Sequence, residues 1–502
     1  MNTEGIEKLI VDIRTIIDYL HTEEKSQAAL LAQVQPHYHE SARNLLHYLA
    51  LRTFDLRSIQ EELSSLSISS LGHSEGYTLT NLQNILRLLL MLLSRPTDQL
   101  YPDFRSPLDY RSSKQQLRHN TIQLFGELSQ GEGSRIMVTM PSEAADDYEL
   151  IHSLLIAGMS IARINTSHDS TTEWYKMIQN IRQAEEETDK KCLIYIDLSG
   201  PKLRTEAVFS GASKQKGYIR LFVGDELQLV KKEPEQPFEG MQALVTLPEI
   251  FSDSKVGHRI YFDDGKIGGT ISDVQPDMVI IKISQAAAEG SKLRAEKGIN
   301  LPDTKLSLPS LTQNDLANLP FIAAHADIVG YSFVRQPEDV ERLQMELKKL
   351  NREQIGIILK IETKDAFQNL PMLLLTAMCS PKIGVMIARG DLAVEIGFER
   401  IAEVQEEILW ICEAAHAPGI WATQVLEKLA KKGTASRAEI TDAAMAARAE
   451  CVMLNKGPYI VNAVAALDDI IRRMQKHQFK KKGTLRPLSV AKHFWQQHKA
   501  SI

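Results

Sequence analysis

Residues 355–367 read IGIILKIETKDAF and, after a helical interval, residues 383–397 read IGVMIARGDLAVEIG. The β-branched run IGIILKIE predicts a strand, whose period of two sends Lys360 and Glu362 to the same face. The second run predicts a strand ending at Arg389, Gly390 and Asp391, which brings another carboxylate to a strand's C-terminal end. Parallel-sheet enzymes keep their chemistry at that end. Two hard oxygen donors near a lysine suit magnesium and a phosphate. On spacing alone, a buried Lys–Glu pair that merely ties strands together fits as well.

Working outward, short apolar runs alternate with amphipathic helical stretches from Arg135 onward. The predicted strands are RIMVTM (135–140), SIARIN (160–165), CLIYID (192–197), DIVGYSF (327–333), IGIILKIE (355–362), IGVMIA (383–388), GIWATQ (419–424) and CVMLN (451–455). These strands make the count of a closed (β/α)8 TIM barrel, whose active site lies at the strands' C-terminal ends. The alternation breaks after the third strand. There, IRLFVGDELQLV, ALVTLPEIF, RIYFDDGKIGGTISDV and MVIIKI carry the period-two pattern and turn signals of a small antiparallel all-β barrel. An insertion of this kind is a movable lid in outline, or else a merely decorative one. Upstream, Leu9, Ile13, Ile16 and Leu20, then Leu45 and Leu49, then Leu56, Ile59, Leu63 and Leu66, then Leu82, Ile85, Leu89 and Leu93 recur at helical spacing. The expected plan is a helical N-terminal domain (1–130), barrel (131–205 and 297–475), inserted lid (206–296) and a basic tail (476–502). SRPTDQLYPDFRSPLDYRSS, rich in proline and aspartate, reads as the linker below the helical unit.

Bulk properties restrict the function classes. The chain has 502 residues, 43% of them hydrophobic, enough for several domains and a large core. A net charge of -6 argues against wholesale nucleic-acid binding, although Lys480, Lys481 and Lys482 make the tail locally basic. Cys192, Cys379, Cys412 and Cys451 show no CxxC pairing, so neither disulfides nor zinc are expected. His37, His39, His47 and His73 lack acidic companions at fixed spacing and read as ordinary histidines. The opening segment does not read as a signal peptide, and ILRLLLMLLS (85–94) is too short for a bilayer and holds Arg87. No membrane partner is expected, and the cytoplasm is the default location.

Eight motifs then converge: ARINTSH (162–168), IDLSGPKLRT (196–205), YFDDG (261–265), KGINLPD (297–303), YSFVR (331–335), LKIE (359–362), ARGDLAVE (388–395) and ATQVLE (422–427). In this order the chain resembles the pyruvate kinase family. The resemblance implies phosphoryl transfer from phosphoenolpyruvate to ADP, with these two small molecules as partners. Such transfer needs charge neutralisation and in-line positioning more than covalent help. Lys360 matches the catalytic lysine, and Glu362 and Asp391 match the carboxylates that hold Mg2+, with Mn2+ as an alternative. Arg389, Gly390 and Asp391 would open a helix turn whose N–H groups accept the substrate carboxylate. Thr423 matches the threonine near the enolate carbon and, being too weak an acid alone, implies a water relay. By the same resemblance Arg163 and Arg204 face phosphate, His168 lies toward the nucleotide, and Asn165 and Ser167 supply oxygens to a monovalent cation.

The chain also departs from the family pattern. Asp197 is kept at the potassium site, but Leu198 follows it and Lys202 replaces a glutamate. An ammonium there can supply the missing cation's charge, so no potassium requirement is expected. After strand eight only LNKGPY (454–459) stands where a longer loop is usual, and TMPSEA (139–144) after strand one is also short. Lys456 stands in for the usual lysine, and the ADP edge is altered twice. About thirty residues follow the last barrel helix, so the family's C-terminal domain and its sugar-phosphate control are expected to be absent. The helical unit would then take an interface or regulatory role, and a homo-oligomer is compatible with that. Two other readings stay open: a catalytically weak regulatory or binding protein on this barrel, and another enzyme using phosphoenolpyruvate or pyruvate.

Overall fold

The computed structural model describes residues 3–69, 71–97, 106–128, 133–211, 217–234, 238–475, 478–479 and 482–483. Part of the expected linker, and the basic tail but for two short strands, lie outside the described residues. The barrel strands are β1 (Arg135–Thr139), β2 (Ile161–Asn165), β3 (Leu193–Asp197), β4 (Ile328–Tyr331), β5 (Gly356–Ile361), β6 (Ile383–Ala388), β7 (Gly419–Ala422) and β8 (Cys451–Leu454). Each pairs in parallel with the next, and β8 closes on β1. They read as unbroken apolar runs because a parallel sheet is covered on both faces, by helices outside and by its own side chains inside.

The barrel interior takes Met137, Ile161, Tyr195, Ile328, Ile358, Met386, Ile420 and Cys451, one residue from each strand. Its floor is closed by Leu124 and Phe125 from helix Tyr110–Phe125. Two barrel glycines make room for that plug. A Cβ on Gly356 would lie 2.6 Å from one Leu124 methyl, and one on Gly384 would lie 2.8 Å from the other. The glycines that open IGIILK and IGVMIA are thus explained by close approach.

Between β3 and β4 the chain builds a seven-stranded sheet with its own core of Leu227, Leu229, Ile260, Phe262, Ile271 and Ile281. The sheet curls until its two edges meet at the hinge, through the bridge Arg204–Gly298. It is not wholly antiparallel, because Glu226–Val230 runs parallel to Met241–Val245. The stretch ALVTLPEIF is only half a strand; Pro248 starts the short helix Glu249–Asp253.

Upstream, helices Thr3–Ser26, His39–Leu51, Arg57–Ser65 and Thr78–Leu92 carry the expected stripes, with Leu9, Ile13, Leu20, Leu63, Leu82 and Leu89 fully buried. The unit docks on the barrel's outer layer by hydrogen bonds. Asn44 donates to the Ala414 carbonyl at 2.8 Å, Asn120 to the His416 carbonyl at 2.8 Å, and Gln35 to the Cys379 carbonyl at 2.9 Å. Among the described residues no helix is long and apolar enough to cross a membrane. All four cysteines are free thiols.

Candidate active site

The C-terminal ends of β2, β3, β5 and β6 bring charges of both signs together. The side chains of Lys360 and Glu362 do share one mouth: Lys360 Nζ is 3.1 Å from Glu362 Oε1. It also lies 3.4 Å from Asp197 Oδ2 and donates to Ser332 Oγ at 2.7 Å. The second Glu362 oxygen accepts the Phe333 N–H at 2.7 Å, so the carboxylate is held at both ends. Asp197 is fully buried and accepts Arg163 Nε at 2.6 Å and the Tyr195 hydroxyl at 2.7 Å. Gly330 makes this arrangement possible, since a Cβ there would lie 2.0 Å from the Tyr195 oxygen.

Asp391 sits in the first turn of helix Arg389–Ile396, directly after β6. Lys202, between β3 and the inserted domain, donates to both Asp391 oxygens at 2.9 Å. Asn300, where the insert returns to the barrel, reaches Asp391 at 3.4 Å and Glu395 at 3.2 Å. The cluster therefore holds three cations (Arg163, Lys202, Lys360) and three carboxylates (Asp197, Glu362, Asp391) in near balance. Burial raises the proton affinity of Glu362, and the nearby Asp391 charge adds to this against the pull of Lys360. Burial would raise Asp391 too, but the Lys202 charge and hydrogen bonds hold it below the usual range. Glu395, half-buried beside Asn300, is pushed up to about 7 by desolvation despite its Asn300 hydrogen bond.

Thr423 follows β7. Its φ is +64°, a left-handed conformation costly for a β-branched residue, and its buried hydroxyl oxygen has no hydrogen-bond partner among the described residues. Gly390 faces it; the nearest atoms to a Cβ there would be those of Thr423, at 3.7 Å, an ordinary van der Waals contact. Arg389 turns to Asp442. Its guanidinium clamps Asp442 at 2.5 and 2.9 Å, donates to the Ala422 and Thr423 carbonyls, and stacks 4.7 Å from the Trp421 ring. Its side chain thus secures the Thr423 backbone, and the helix start at Arg389 has main-chain N–H groups with no side-chain cap.

A cleft of about 260 Å³ opens on the β1–β2–β8 side, lined by Thr139, Arg163, Asn165, His168, Lys431 and Lys456. Burial first, and then the charges of Lys456 and Arg204, lower the proton affinity of His168. The short segment after β8 is pinned: a Cβ on Gly457 would lie 2.4 Å from the Ala430 carbonyl, which also accepts the Tyr459 N–H at 2.9 Å. A second cavity of about 830 Å³ lies between the lid return and the segments after β4 and β5, with Asn300, Arg335, Lys364 and Glu395 on its wall.

A family model described as the pyruvate kinase barrel domain matches residues 132–464. The chain belongs to the pyruvate kinase family. It is 32% identical over 342 residues to the pyruvate kinase of Bacillus licheniformis, covering 66% of this chain and 56% of that protein. The corresponding figures are 31% over 351 residues for the Dictyostelium discoideum enzyme (68% and 66%) and 32% over 340 residues for the Geobacillus stearothermophilus enzyme (66% and 55%). This chain therefore spans a little over half to two-thirds of these pyruvate kinases.

Against the expected site, Lys360, Glu362, Asp197 and Arg163 meet in one network, Lys202 meets Asp391, and Thr423 stands beside Gly390. Leu198 packs in the core at 1% exposure, so its side chain adds nothing to the mouth. Asn165 Oδ1 accepts the Ser167 N–H at 3.2 Å, and Arg204 at the hinge donates to the Glu296 carbonyl at 3.2 Å. Sequence reading missed Ser332, Tyr195, Asn300 and Asp442 as partners of the cluster. Asn300 and Ser332 lay inside quoted motifs, KGINLPD and YSFVR, and Tyr195 stands two residues before Asp197 in one strand, whereas Asp442 had no local signal because Arg389 is 53 residues away.

Proposed function

We propose that this protein transfers the phosphoryl group of phosphoenolpyruvate to ADP, giving pyruvate and ATP, with help from a divalent cation. The observation that supports the reading most is the charge-balanced cluster around Lys360, which includes Glu362 and Asp391. A buried carboxylate, Glu362, and a half-buried one, Asp391, offer the hard oxygen donors that a magnesium or manganese ion takes, and the raised proton affinity of Glu362 marks a place where positive charge is wanted. Held by Glu362 and Asp391, such an ion would neutralise the substrate oxygens on which charge builds. Because the protein charges already balance, the ion and the anionic substrate should bind best together.

The chain's own residues would act as follows. Lys360 and Arg163 stabilise the transferring phosphoryl group. The N–H groups of Gly390 and Asp391 hold the substrate carboxylate. Thr423, whose hydroxyl lacks a protein partner, hands a proton to the enolate carbon through water. His168, Arg204 and Lys456 flank the cleft where the ADP phosphates would lie. Asn165, Ser167 and Asp197 correspond to the family's potassium site, and the Lys202 ammonium takes over that cation's charge, so turnover should need no potassium. The same reading assigns residues 206–296 as a lid on a barrel formed by 131–205 and 297–475. Residues 1–130 form an added helical domain, and 476–502 a basic tail.

ATP formation from phosphoenolpyruvate and ADP tests the reading, assayed with magnesium, with and without potassium. Turnover without potassium is expected, falling by about 100-fold or more in Lys360→Met. The short segment after β8 favours a second reading, a binding protein that holds phosphoenolpyruvate without turnover. Tight binding with no ATP formed would select it.

A further inference from the structure

One more group of metal-ligating side chains comes together among the described residues, and it lies in the helical unit. His21 and Glu24 are one turn apart near the end of helix Thr3–Ser26 and therefore share a face. His47 comes from the facing helix His39–Leu51. One ligand atom from each of the three lies within 4.8 Å of the others. His47 Nε2 is 2.7 Å from Glu24 Oε2, and the two imidazoles stand edge to face with 6.4 Å between ring centroids. Both histidines are buried, at 5% and 2% exposure.

We propose that His21, Glu24 and His47 bind one transition-metal ion of the zinc class, at a site separate from the barrel mouth. Two imidazole nitrogens and one carboxylate oxygen form a donor set for zinc, whereas magnesium prefers oxygen alone. Ligand atoms around a tetrahedral zinc ion lie about 3.3 Å apart, so modest side-chain rotations bring the present spacing to bonding distance. Glu24 is oriented from behind. Arg43 donates to its other oxygen at 2.7 Å and is itself held by Glu40 at 3.0 Å, the outer-shell support that ligating carboxylates receive in metal sites.

The location gives the ion a role. Helix His39–Leu51 also carries Asn44, which donates to the Ala414 carbonyl on the barrel. A metal joining this helix to Thr3–Ser26 would tie the outermost helix to the one that docks the unit. Only His21 and Glu24 are near one another in the chain; His47 joins them from a different helix, which no local pattern records.

The test uses the full chain, stripped with chelator and titrated with Zn2+ against a chromophoric chelator, and with Co2+ by visible absorption. One Zn2+ per chain is expected at submicromolar affinity, weakened about 100-fold or more in His21→Ala and in His47→Gln. Arg43→Ala should weaken it about 10-fold. Co2+ should give the intense visible bands of four-coordinate geometry, and these should vanish on adding zinc. Zinc uptake unchanged in His21→Ala would overturn the proposal, as would a wild-type chain that takes up neither ion and so keeps only an ion-paired His–Glu–Arg network. His47 also supports its helix, so thermal melts accompany each variant. If His47→Gln fails to fold, the wild-type cobalt spectrum and His21→Ala decide.

Discussion

Thr423 shows how a single residue can carry functional information against its own stability. A β-branched residue at φ +64°, whose buried hydroxyl has no partner among the described residues, is costly on two counts. Thr423→Val removes the oxygen and keeps the volume. The expected result is a fold kept or made more stable by about 1 kcal/mol, since an unsatisfied buried hydroxyl is removed while the φ strain stays, with pyruvate formation reduced about 100-fold or more and phosphoenolpyruvate affinity kept. Steady-state kinetics beside thermal melts measure this, and full turnover in the variant would remove Thr423 from the chemistry. Lys360 and Glu362 were legible from strand periodicity alone. The Arg389 clamp on Asp442 was not, because the motif ARGDLAVE contains one partner and the other lies 53 residues on.

At the scale of the element, the barrel floor depends on two glycines and one leucine. Gly356→Ala should cost about 1–3 kcal/mol by crowding Leu124, and Leu124→Ala about 2–5 kcal/mol by leaving a cavity. The double variant should be more stable than the sum of these losses predicts, since the new methyl occupies part of the space the leucine vacates. Urea denaturation of the three variants gives the coupling directly, and simple additivity would argue against the contact. The strands themselves were readable within one or two residues, because a strand buried on both faces has no polar position to blur its ends. The insert was harder: its parallel pair and the helix Glu249–Asp253 depend on where the curled sheet turns, which period-two patterning does not encode.

For the whole molecule, attachment of the helical unit makes stability depend on pH. His416 is fully buried at the junction, where Nδ1 lies 3.0 Å from Ser41 Oγ and Nε2 2.9 Å from the Gly76 carbonyl. Burial holds its pKa at about 4, below the unfolded value of 6.5. The unfolded chain therefore binds the proton more readily. The stabilisation is fully present above about pH 6.5 and is lost as pH falls toward 4, on the order of 3 kcal/mol in total. His21, also near 4, loses stability in the same direction and window. His416→Gln should flatten the fall in melting temperature between pH 6.5 and pH 4, and an equally steep fall in that variant would place its cause elsewhere.

Alone, the chain's order of residues determined the barrel, the place of the insert, the helical unit and the pairing of Lys360 with Glu362, all of them consequences of periodicity along a few consecutive residues. Tertiary structure alone decided that Lys202 meets Asp391, that Arg389 turns to Asp442, and that His21, Glu24 and His47 gather in one place. Backbone geometry repeats every two or 3.6 residues and so writes itself into local pattern. A charge finds its partner across dozens or hundreds of residues, through whichever elements the packed core brings side by side, and no local pattern records that choice.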